Sequence, residues 1–251
     1  MFHVKHLESS EVVVSAEERA EVIRCAGSLG IVVTDAHAGL LLAHLDAVLE
    51  SNKRLSLTAI TDRERAIRLH VVDSLAVVTS VAACEGRMAD IGSGAGFPGI
   101  PVAIASQRPV DLIESVKKKA TFLGSCVDAL GGLSGSGVIP LRAEEAAVTH
   151  RGQYGCVMAR ALTSLAALVE LASPLLRVGG SLVAMKGAPT AVELDHGGSA
   201  AAVVGMQESS RSGYTLPGSD ERRTIVCYTK VTEPTIGLPR RIGLAQKRPL
   251  G

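Results

Sequence analysis

The chain has 251 residues, with 26 lysines and arginines against 25 aspartates and glutamates, so its formal net charge is +1. This length allows one large domain with a substantial core and a small appendage. The balanced charge argues against nucleic-acid binding by bulk charge alone, although a local basic face remains compatible with it. No apolar run approaches the roughly 20 residues that a bilayer requires, so no membrane partner is expected.

The N-terminal residues and the cysteines indicate the compartment. Residues 1–6 are followed by acidic side chains and contain no apolar signal core, so export is not expected. The five cysteines are scattered and form no Cys-x-x-Cys pair. This pattern favours buried free thiols in a reducing cytosol over disulfides or a metal site. We therefore expect a cytoplasmic protein without a bound metal.

A helical pattern fills the first third of the chain, which we treat as one segment from residue 1 to 83. Apolar spacing predicts helices at 16–28, 35–51 and 61–81. A polar and basic connector, Asn52–Ile60, joins the last two helices. His70 and Asp73 stand three residues apart in the third helix, a spacing that also suits a metal pair. Because no third ligand is nearby, docking of this helix onto a sheet explains the two residues better.

Short apolar strands alternate with helices from residue 86 onward, in a domain that we place at 84–233. Strands are predicted at 87–91, 110–113, 137–141, 156–159 and 181–185. Helices are predicted at 98–106, 116–130, 143–149 and 165–176. This alternation indicates βαβ units and a mostly parallel sheet that is covered on both faces.

Two more strands, at 203–207 and 224–230, have no long helix between them and predict a closing antiparallel hairpin. The expected fold class is therefore α/β, a doubly wound, Rossmann-like and mostly parallel seven-stranded sheet with an N-terminal helical segment. Residues 234–251 contain proline and several basic residues, and we expect them to form an irregular basic tail.

The strongest motif is the glycine-rich loop Asp90-Ile91-Gly92-Ser93-Gly94-Ala95-Gly96, which follows a strand and opens a helix. That is the context of a nucleotide-type loop. Glycines allow the backbone to turn sharply and to approach a ligand without an intervening side chain. Together with Gly99, the loop also matches the dinucleotide fingerprint, a match that is weak on its own.

Asp90 distinguishes between the two candidate ligands of this loop, a dinucleotide and S-adenosylmethionine. A dinucleotide places its pyrophosphate at the helix N-terminus, where a neighbouring carboxylate repels it. S-adenosylmethionine carries a sulfonium and an ammonium group in place of phosphate, so the same carboxylate attracts it. The sequence therefore favours S-adenosylmethionine as the cofactor, bound at Asp90, Gly92 and Gly94. A dinucleotide and a purely structural turn are the alternatives.

Two further acidic positions fit a nucleoside ligand. Glu114 ends the second predicted strand, 20 residues beyond Gly94, where a carboxylate accepts hydrogen bonds from ribose hydroxyls. This feature suits either nucleoside ligand. Ala143 and Glu144 follow the third strand, at a position suited to the adenine edge. Acids that complement the dipole at a helix start are the alternative explanation for that pair.

Several of these segments occur in a characteristic order. The segments are Asn52-Lys53, Leu57–Ile60, His70–Ser74, Asp90–Pro101, Glu114-Ser115, Lys118-Lys119, Phe122-Leu123, Arg142–Glu145, Ala159–Ala161, Met185–Gly187, Pro239–Gly243 and Lys247–Leu250. Together they resemble the bacterial 16S ribosomal RNA guanine-N7 methyltransferases, the glucose-inhibited division protein B family. The resemblance runs from about residue 35 to the end. Two positions depart from it: Ser51 and Ser56 stand where the family usually has tryptophan and asparagine.

The resemblance implies a class I methyltransferase fold and methyl transfer to N7 of one guanine in the 530 loop, in the decoding region of 16S rRNA. The partner would be 16S rRNA or the small ribosomal subunit. Cofactor contacts carried over by motif are Gly92, Phe97, Ala143, Glu144 and Arg160. The charge argument adds Asp90 and Glu114, and the loop geometry adds Gly94.

The reaction requires little acid–base chemistry, because guanine N7 has a lone pair and no hydrogen. Alignment of N7, the methyl carbon and the sulfur is then the main requirement. Arg160 and Lys186 end the fourth and fifth strands, on the side where open α/β sheets bind ligands. We expect one of them to hold guanine O6 or an adjacent phosphate as a catalytic contact. The alternative is that both only complete surface ion pairs.

Basic clusters offer candidate phosphate contacts. They are Lys53-Arg54, Lys117–Lys119, Arg222-Arg223, Arg240-Arg241 and Lys247-Arg248. Few aromatic residues are present, so recognition of a folded ribosomal surface is favoured over single-strand stacking. Two other functions remain open at this stage. One is methylation of another RNA, a protein or a small molecule, and the other is regulation by a bound dinucleotide.

Overall fold

The computed structural model describes residues 15–131 and 133–251, and their strands form one seven-stranded sheet. The strands are β1 (Arg87–Ile91), β2 (Val110–Ile113), β3 (Gly137–Ile139), β4 (Tyr154–Arg160), β5 (Leu176–Lys186), β6 (Met206–Thr215) and β7 (Arg222–Lys230). Their order is β3-β2-β1-β4-β5-β7-β6. The first five are parallel, and β7 lies antiparallel between β5 and β6. The predicted fold class and closing hairpin are confirmed.

The helices surround this sheet. They are α1 (Ala16–Ser28), α2 (Asp35–Leu55), α3 (Arg63–Ala66), α4 (Asp73–Leu75), α5 (Val78–Ala82), α6 (Gly99–Ser106), α7 (Lys117–Ala129), α8 (Ala143–Thr149), α9 (Leu165–Ala172), α10 (Ala191–Val203) and α11 (Leu244–Lys247). Side-chain caps set several starts: Ser15 and Glu18 form a capping box at α1, and Thr34 caps α2. No helix in the described part of the chain is long and apolar enough to cross a membrane.

Helices cover both faces of the parallel part of the sheet, and successive side chains of a strand point to opposite faces. Met158 belongs to the apolar cluster that contains the N-terminal helices, α6 and α7, whereas its neighbour Val157 packs with α8, α9 and α10. Buried residues of α1 and α2 share the first cluster with the sheet. The N-terminal helices therefore cover one sheet face directly.

The third predicted helix, 61–81, is interrupted. A π-helical turn at Ile67–Val72 separates α3 from α4, and a further turn separates α4 from α5. Such wide turns are rare in proteins, and those that occur are often found at functional sites. This one contains His70 and leads directly into Asp73, so both side chains reach the carboxyl end of β4.

Other elements also differ from the predictions. The helix predicted at 165–176 ends at Ala172, and β5 already begins at Leu176, five residues before the predicted start. The strand predicted at 203–207 was placed too early: Val203 ends α10, a helix that was not predicted, and β6 begins at Met206. The helix pattern of α10 is weak because two glycines interrupt it. The tail predicted to be irregular contains α11. Residues 1–14, which include the segment used to argue against export, lie outside the described residues.

Candidate functional site

The glycine loop after β1 is shaped by positive φ angles. Gly92, Gly94 and Gly96 have φ of 69°, 57° and 94°, a region that favours glycine. A Cβ on Gly92 would lie 2.6 Å from Leu162, and a Cβ on Gly96 would lie 2.7 Å from Ile100. A Cβ on Gly94 would meet only the carbonyl oxygen of Gly92, at 3.8 Å. The space above Gly94 is therefore open to a ligand, whereas the other two glycines are required by packing.

Asp90 lies beneath this loop. Its side chain is buried, and Oδ2 accepts a hydrogen bond from the backbone N–H of Gly99 at 3.1 Å. Oδ1 is also buried and has no hydrogen-bond partner. Burial raises the pKa of Asp90 to about 7, against the opposing effect of the Gly99 hydrogen bond. In this geometry Asp90 fastens the loop to the start of α6, and contact with a cofactor remains a prediction.

Glu114 is tied to the loop at the end of β2. Its Oε2 accepts from the N–H of Gly94 at 2.9 Å, and its Oε1 accepts from the N–H of Val116 at 2.7 Å. Each carboxylate oxygen has a further lone pair available. Glu114 can therefore accept hydrogen bonds from two neighbouring hydroxyls of a ribose beside Gly94.

Glu144 follows β3, the edge strand next to β2. It therefore lies beyond Glu114 along the sheet edge, away from the glycine loop. Ala143 begins α8, and Glu144 follows it with a mostly buried side chain. Its Oε1 accepts a 2.7 Å hydrogen bond from the N–H of Gly243 in the C-terminal segment. This contact, from a residue 99 positions away, was not foreseen from the sequence.

A cavity of about 550 Å³ lies on the other side of the loop. Its wall includes Gly92, Gly94 and Phe97 from the loop, together with Arg160 and Lys186 from the ends of β4 and β5. The structure thus joins these five predicted site residues in one cavity. The other four predicted residues do not line it: Asp90 lies at the end of β1, Glu114 follows β2, and Ala143 and Glu144 follow β3 along the same sheet edge.

Arg160 is held in the cavity wall by Asp73. Its Nη1 lies 3.2 Å from Asp73 Oδ2 and donates to the carbonyl of Leu69 at 2.8 Å. The guanidinium carbon lies 5.3 Å from the centre of the Phe97 ring. Burial lowers the pKa of Arg160, and Asp73 opposes this shift. Arg160 thus does form an ion pair, as the alternative interpretation expected, but its side chain is only 15% exposed, and a catalytic contact stays a prediction.

Asp73 also binds two residues of the closing hairpin. Tyr214 donates its hydroxyl to Oδ1 at 2.8 Å, and Arg223 Nε lies 3.3 Å from the same oxygen. Neither Tyr214 nor the role of Asp73 was predicted from the sequence. The antiparallel direction of β7 was the available signal, because it brings the start of β7 beside the carboxyl end of β5.

His70 has a defined protonation state. Arg160 Nη2 lies 3.2 Å from His70 Nδ1, and because arginine only donates, Nδ1 must accept. Nε2 therefore carries the hydrogen and donates to Thr58 Oγ1 at 2.8 Å. Burial, followed by the charge of Arg160, lowers the pKa of His70 to about 4. The neutral ring stacks on Phe97, with 4.9 Å between centroids.

Lys186 is paired at the opposite side of the cavity. Its Nζ lies 2.7 Å from Glu193 Oε1 and donates to the carbonyl of Thr163 at 3.0 Å. The side chain is 16% exposed. Lys186 therefore holds the segment after β4 while it lines the cavity.

The C-terminal segment changes the interpretation of one basic cluster. Arg240 forms two hydrogen bonds to Glu170, at 2.6 and 2.5 Å, and donates to the carbonyl of Arg248. Glu170 is 3% exposed. The guanidinium of Arg240 is therefore engaged with a buried carboxylate, and its phosphate contact stays a prediction.

Comparisons with known proteins agree with this fold. The family model for rRNA small subunit methyltransferase G matches residues 38–222. A ribosomal RNA small subunit methyltransferase G of Pelotomaculum thermopropionicum is 40% identical over 232 residues, covering 90% of this chain and 95% of that protein. The protein of that name in Chloroflexus aggregans is 37% identical over 232 residues, covering 91% of this chain and 97% of that protein.

One solved structure illustrates the fold at lower identity. A crystal structure of a mutant of MtNAS in complex with S-adenosylmethionine is 17% identical, with a TM-score of 0.52. The likeness covers 87% of this chain and 80% of that chain. At this identity the likeness shows the fold alone.

Proposed function

Since the chain belongs to the rRNA small subunit methyltransferase G family, we propose that it methylates N7 of one guanine in the decoding-region 530 loop of 16S rRNA, with S-adenosylmethionine as donor. The partner is then 16S rRNA or the small ribosomal subunit, and the enzyme acts in the cytoplasm. The observation that supports this reaction most directly is that hydrogen bonds and ion pairs engage His70 and Asp73 in the cavity wall.

The cavity wall is poorly suited to removing a proton. His70 uses both ring nitrogens in contacts, and its pKa of about 4 leaves it neutral near pH 7. Asp73 is ion-paired with Arg160 and Arg223. Guanine N7 requires no base, because it carries a lone pair and no hydrogen.

The sheet edge fits the proposed cofactor. The open space above Gly94 leaves room for a ligand beside the loop, and Glu114 has lone pairs free for ribose hydroxyls. Glu144, with Ala143, lies one strand further and suits the adenine edge. When bound, S-adenosylmethionine supplies an electrophilic methyl group on a cationic sulfur. Gly92, Phe97 and Arg160 then face the cavity from the loop and β4.

The cavity residues have positioning roles in this proposal. Phe97 packs its ring against His70 and Arg160 and so fixes the loop at the cavity wall. Arg160 and Lys186 are candidates for a hydrogen bond to guanine O6 or to an adjacent phosphate, as the catalytic contacts. Because N7 lies in the deep groove of A-form RNA, the target base must be unpaired or turned out of its helix. Asp90 supports the loop from beneath.

Purified protein, methyl-labelled S-adenosylmethionine and small subunits from cells lacking this gene provide the test. Borohydride and aniline treatment cleaves RNA at 7-methylguanosine, and primer extension maps the cut. We expect one new cleavage site, at a guanine of the 530 loop. Label in protein, in another RNA or at a base that resists this cleavage would contradict the proposal. Naked 16S rRNA in a parallel reaction distinguishes the two forms of the substrate.

A further inference from the structure

The C-terminal segment, residues 234–251, folds back against the protein beside α8 and α9. Leu238 and Ala245 are buried in the same apolar cluster as α9. The two hydrogen bonds between Arg240 and the buried Glu170 fix the segment at its start, and the contact from Arg240 to the carbonyl of Arg248 fixes its far part. The segment is therefore an anchored part of the fold.

Gly243 is the point at which this anchored segment meets the predicted cofactor residues. Its N–H donates to Glu144 Oε1 at 2.7 Å, and its φ of 75° directs that N–H. A charge-assisted hydrogen bond of this length is among the stronger hydrogen bonds in proteins. It occupies one oxygen of Glu144 and fixes the side chain, so the second oxygen has a defined direction.

Adenine presents a hydrogen-bond donor, its 6-amino group, on the edge that distinguishes it from hypoxanthine. A carboxylate oxygen is an acceptor without a hydrogen, so it accepts from an amino group and repels the carbonyl oxygen that replaces it. A freely rotating glutamate would discriminate less, because ordering it would oppose binding.

We propose that the C-terminal segment is a positioning element for cofactor recognition. In this arrangement Arg240 holds the segment on Glu170, the N–H of Gly243 holds Oε1 of Glu144, and Oε2 accepts the 6-amino group of adenine. The inference rests on the proposed function in one respect: it takes the bound nucleoside to be the adenosine of S-adenosylmethionine. The positioning contacts themselves are those described above.

Gly243 offers a matched pair of variants. A Cβ at this position would meet no atom within 4 Å, so steric clash is absent and backbone preference decides the outcome. Asparagine tolerates a positive φ, whereas the β-branched valine strongly disfavours it. Gly243→Asn is therefore expected to keep the N–H on Glu144, and Gly243→Val to displace it. Arg240→Gln tests the anchor, with the exposed neighbour Arg241→Gln as its charge-matched control.

The readout is calorimetric binding of S-adenosylhomocysteine and S-inosylhomocysteine, which differ at the 6-position of the purine and in the hydrogen that the inosyl compound carries on N1. We expect the unmodified protein to prefer the adenosyl compound by about tenfold or more. Gly243→Val and Arg240→Gln should lose most of this preference, whereas Gly243→Asn and Arg241→Gln should keep it. Thermal unfolding of each variant shows whether it is folded. General destabilisation would weaken the binding of both ligands equally and leave the ratio of their two affinities unchanged.

The outcomes separate this inference from the proposed function. If the unmodified protein binds neither compound, the proposed cofactor is wrong. If it binds both without preference, or if folded Gly243→Val and Arg240→Gln keep the full preference, the positioning role is overturned while the proposed function stands.

Discussion

Asp73 and Arg160 form a mostly buried ion pair, with 3.2 Å between Oδ2 and Nη1, that joins the π-helical turn to the end of β4. Neither partner is close to the other in sequence. The pair gives Arg160 a fixed place under the Phe97 ring, and it balances a charge that the cavity would otherwise leave uncompensated. Arg160 therefore depends on the N-terminal helices for its position.

Replacing Asp73 with asparagine should remove this compensation. Loss of one partner of a buried pair costs about 3–5 kcal/mol, so we expect a comparable drop in the free energy of unfolding. Methyl transfer should fall further than cofactor binding, because Arg160 loses its fixed position. Urea denaturation, calorimetry and single-turnover methylation measure the three quantities.

Asp111→Asn is a matched control for that experiment. Asp111 is also buried and also binds a tyrosine hydroxyl and an arginine, those of Tyr154 and Arg87, but it does not line the cavity. We expect destabilisation, smaller than for Asp73 because Arg87 is 61% exposed, with little change in the rate of methyl transfer by the folded fraction. Equal rate losses in both variants would mean that Asp73 has only a structural role.

Lys186→Met should separate RNA methylation from cofactor binding. The substitution keeps the length of the side chain and removes its charge, so the affinity for S-adenosylmethionine should be preserved. Methylation should fall by about 10- to 100-fold, the range expected for a hydrogen bond to a charged group. Equal loss of cofactor affinity and methylation would contradict this division of roles. Glu193→Gln frees Lys186 from its partner and should retain methylation.

Asp90→Asn should change how stability depends on pH. Because burial raises the pKa of Asp90 from 3.8 to about 7, the folded protein retains a proton that the unfolded chain releases near pH 4. This group's contribution to stability is complete below pH 4 and is lost as pH rises to about 7. The asparagine variant should therefore gain stability relative to the unmodified protein across that range, by about 4 kcal/mol. Parallel stability curves from urea denaturation would contradict the shift.

Ser56→Asn should stabilise the protein. Ser56 follows α2 with a φ of 49°, a left-handed conformation that asparagine adopts more readily than serine. The resemblance noted from the sequence places asparagine at this position in other members. We expect a gain of about 0.5 kcal/mol in the free energy of unfolding, measured by urea denaturation. Ser51→Asn, within the right-handed helix α2, is the control and should bring no gain.

The fold could be predicted largely from the sequence, because local patterns determine it. Apolar runs that alternate with amphipathic helices predict a parallel sheet. The helix predicted at 16–28 from its apolar spacing was placed correctly, and in the structure a capping box fixes its start. The helix α10 was missed because Gly197 and Gly198 weaken its pattern, although Gly197 is required where α10 packs against Leu165.

The site was predictable only in part. Residues that follow strand ends, such as Arg160 and Lys186, could be placed beside the loop because parallel strands share one edge. Asp90 shows the limit of that reasoning: the sequence places its carboxylate beside the loop but does not reveal that Gly99 closes over it. The contacts of Tyr214 with Asp73 and of Gly243 with Glu144 span 141 and 99 residues, and no local pattern encodes them.

The π-helical turn at Ile67–Val72 has a consequence for insertions and deletions. Each residue of a helix advances it by about 100° around its axis, and the wide turn accommodates one residue more than a regular helix would. Loss of a single residue from this turn would restore regular winding with the flanking helices kept in register, and it would change which side chains between Ile67 and Val72 face the cavity. In this stretch the spacing of the side chains around the helix is therefore as strongly constrained as their chemical identity.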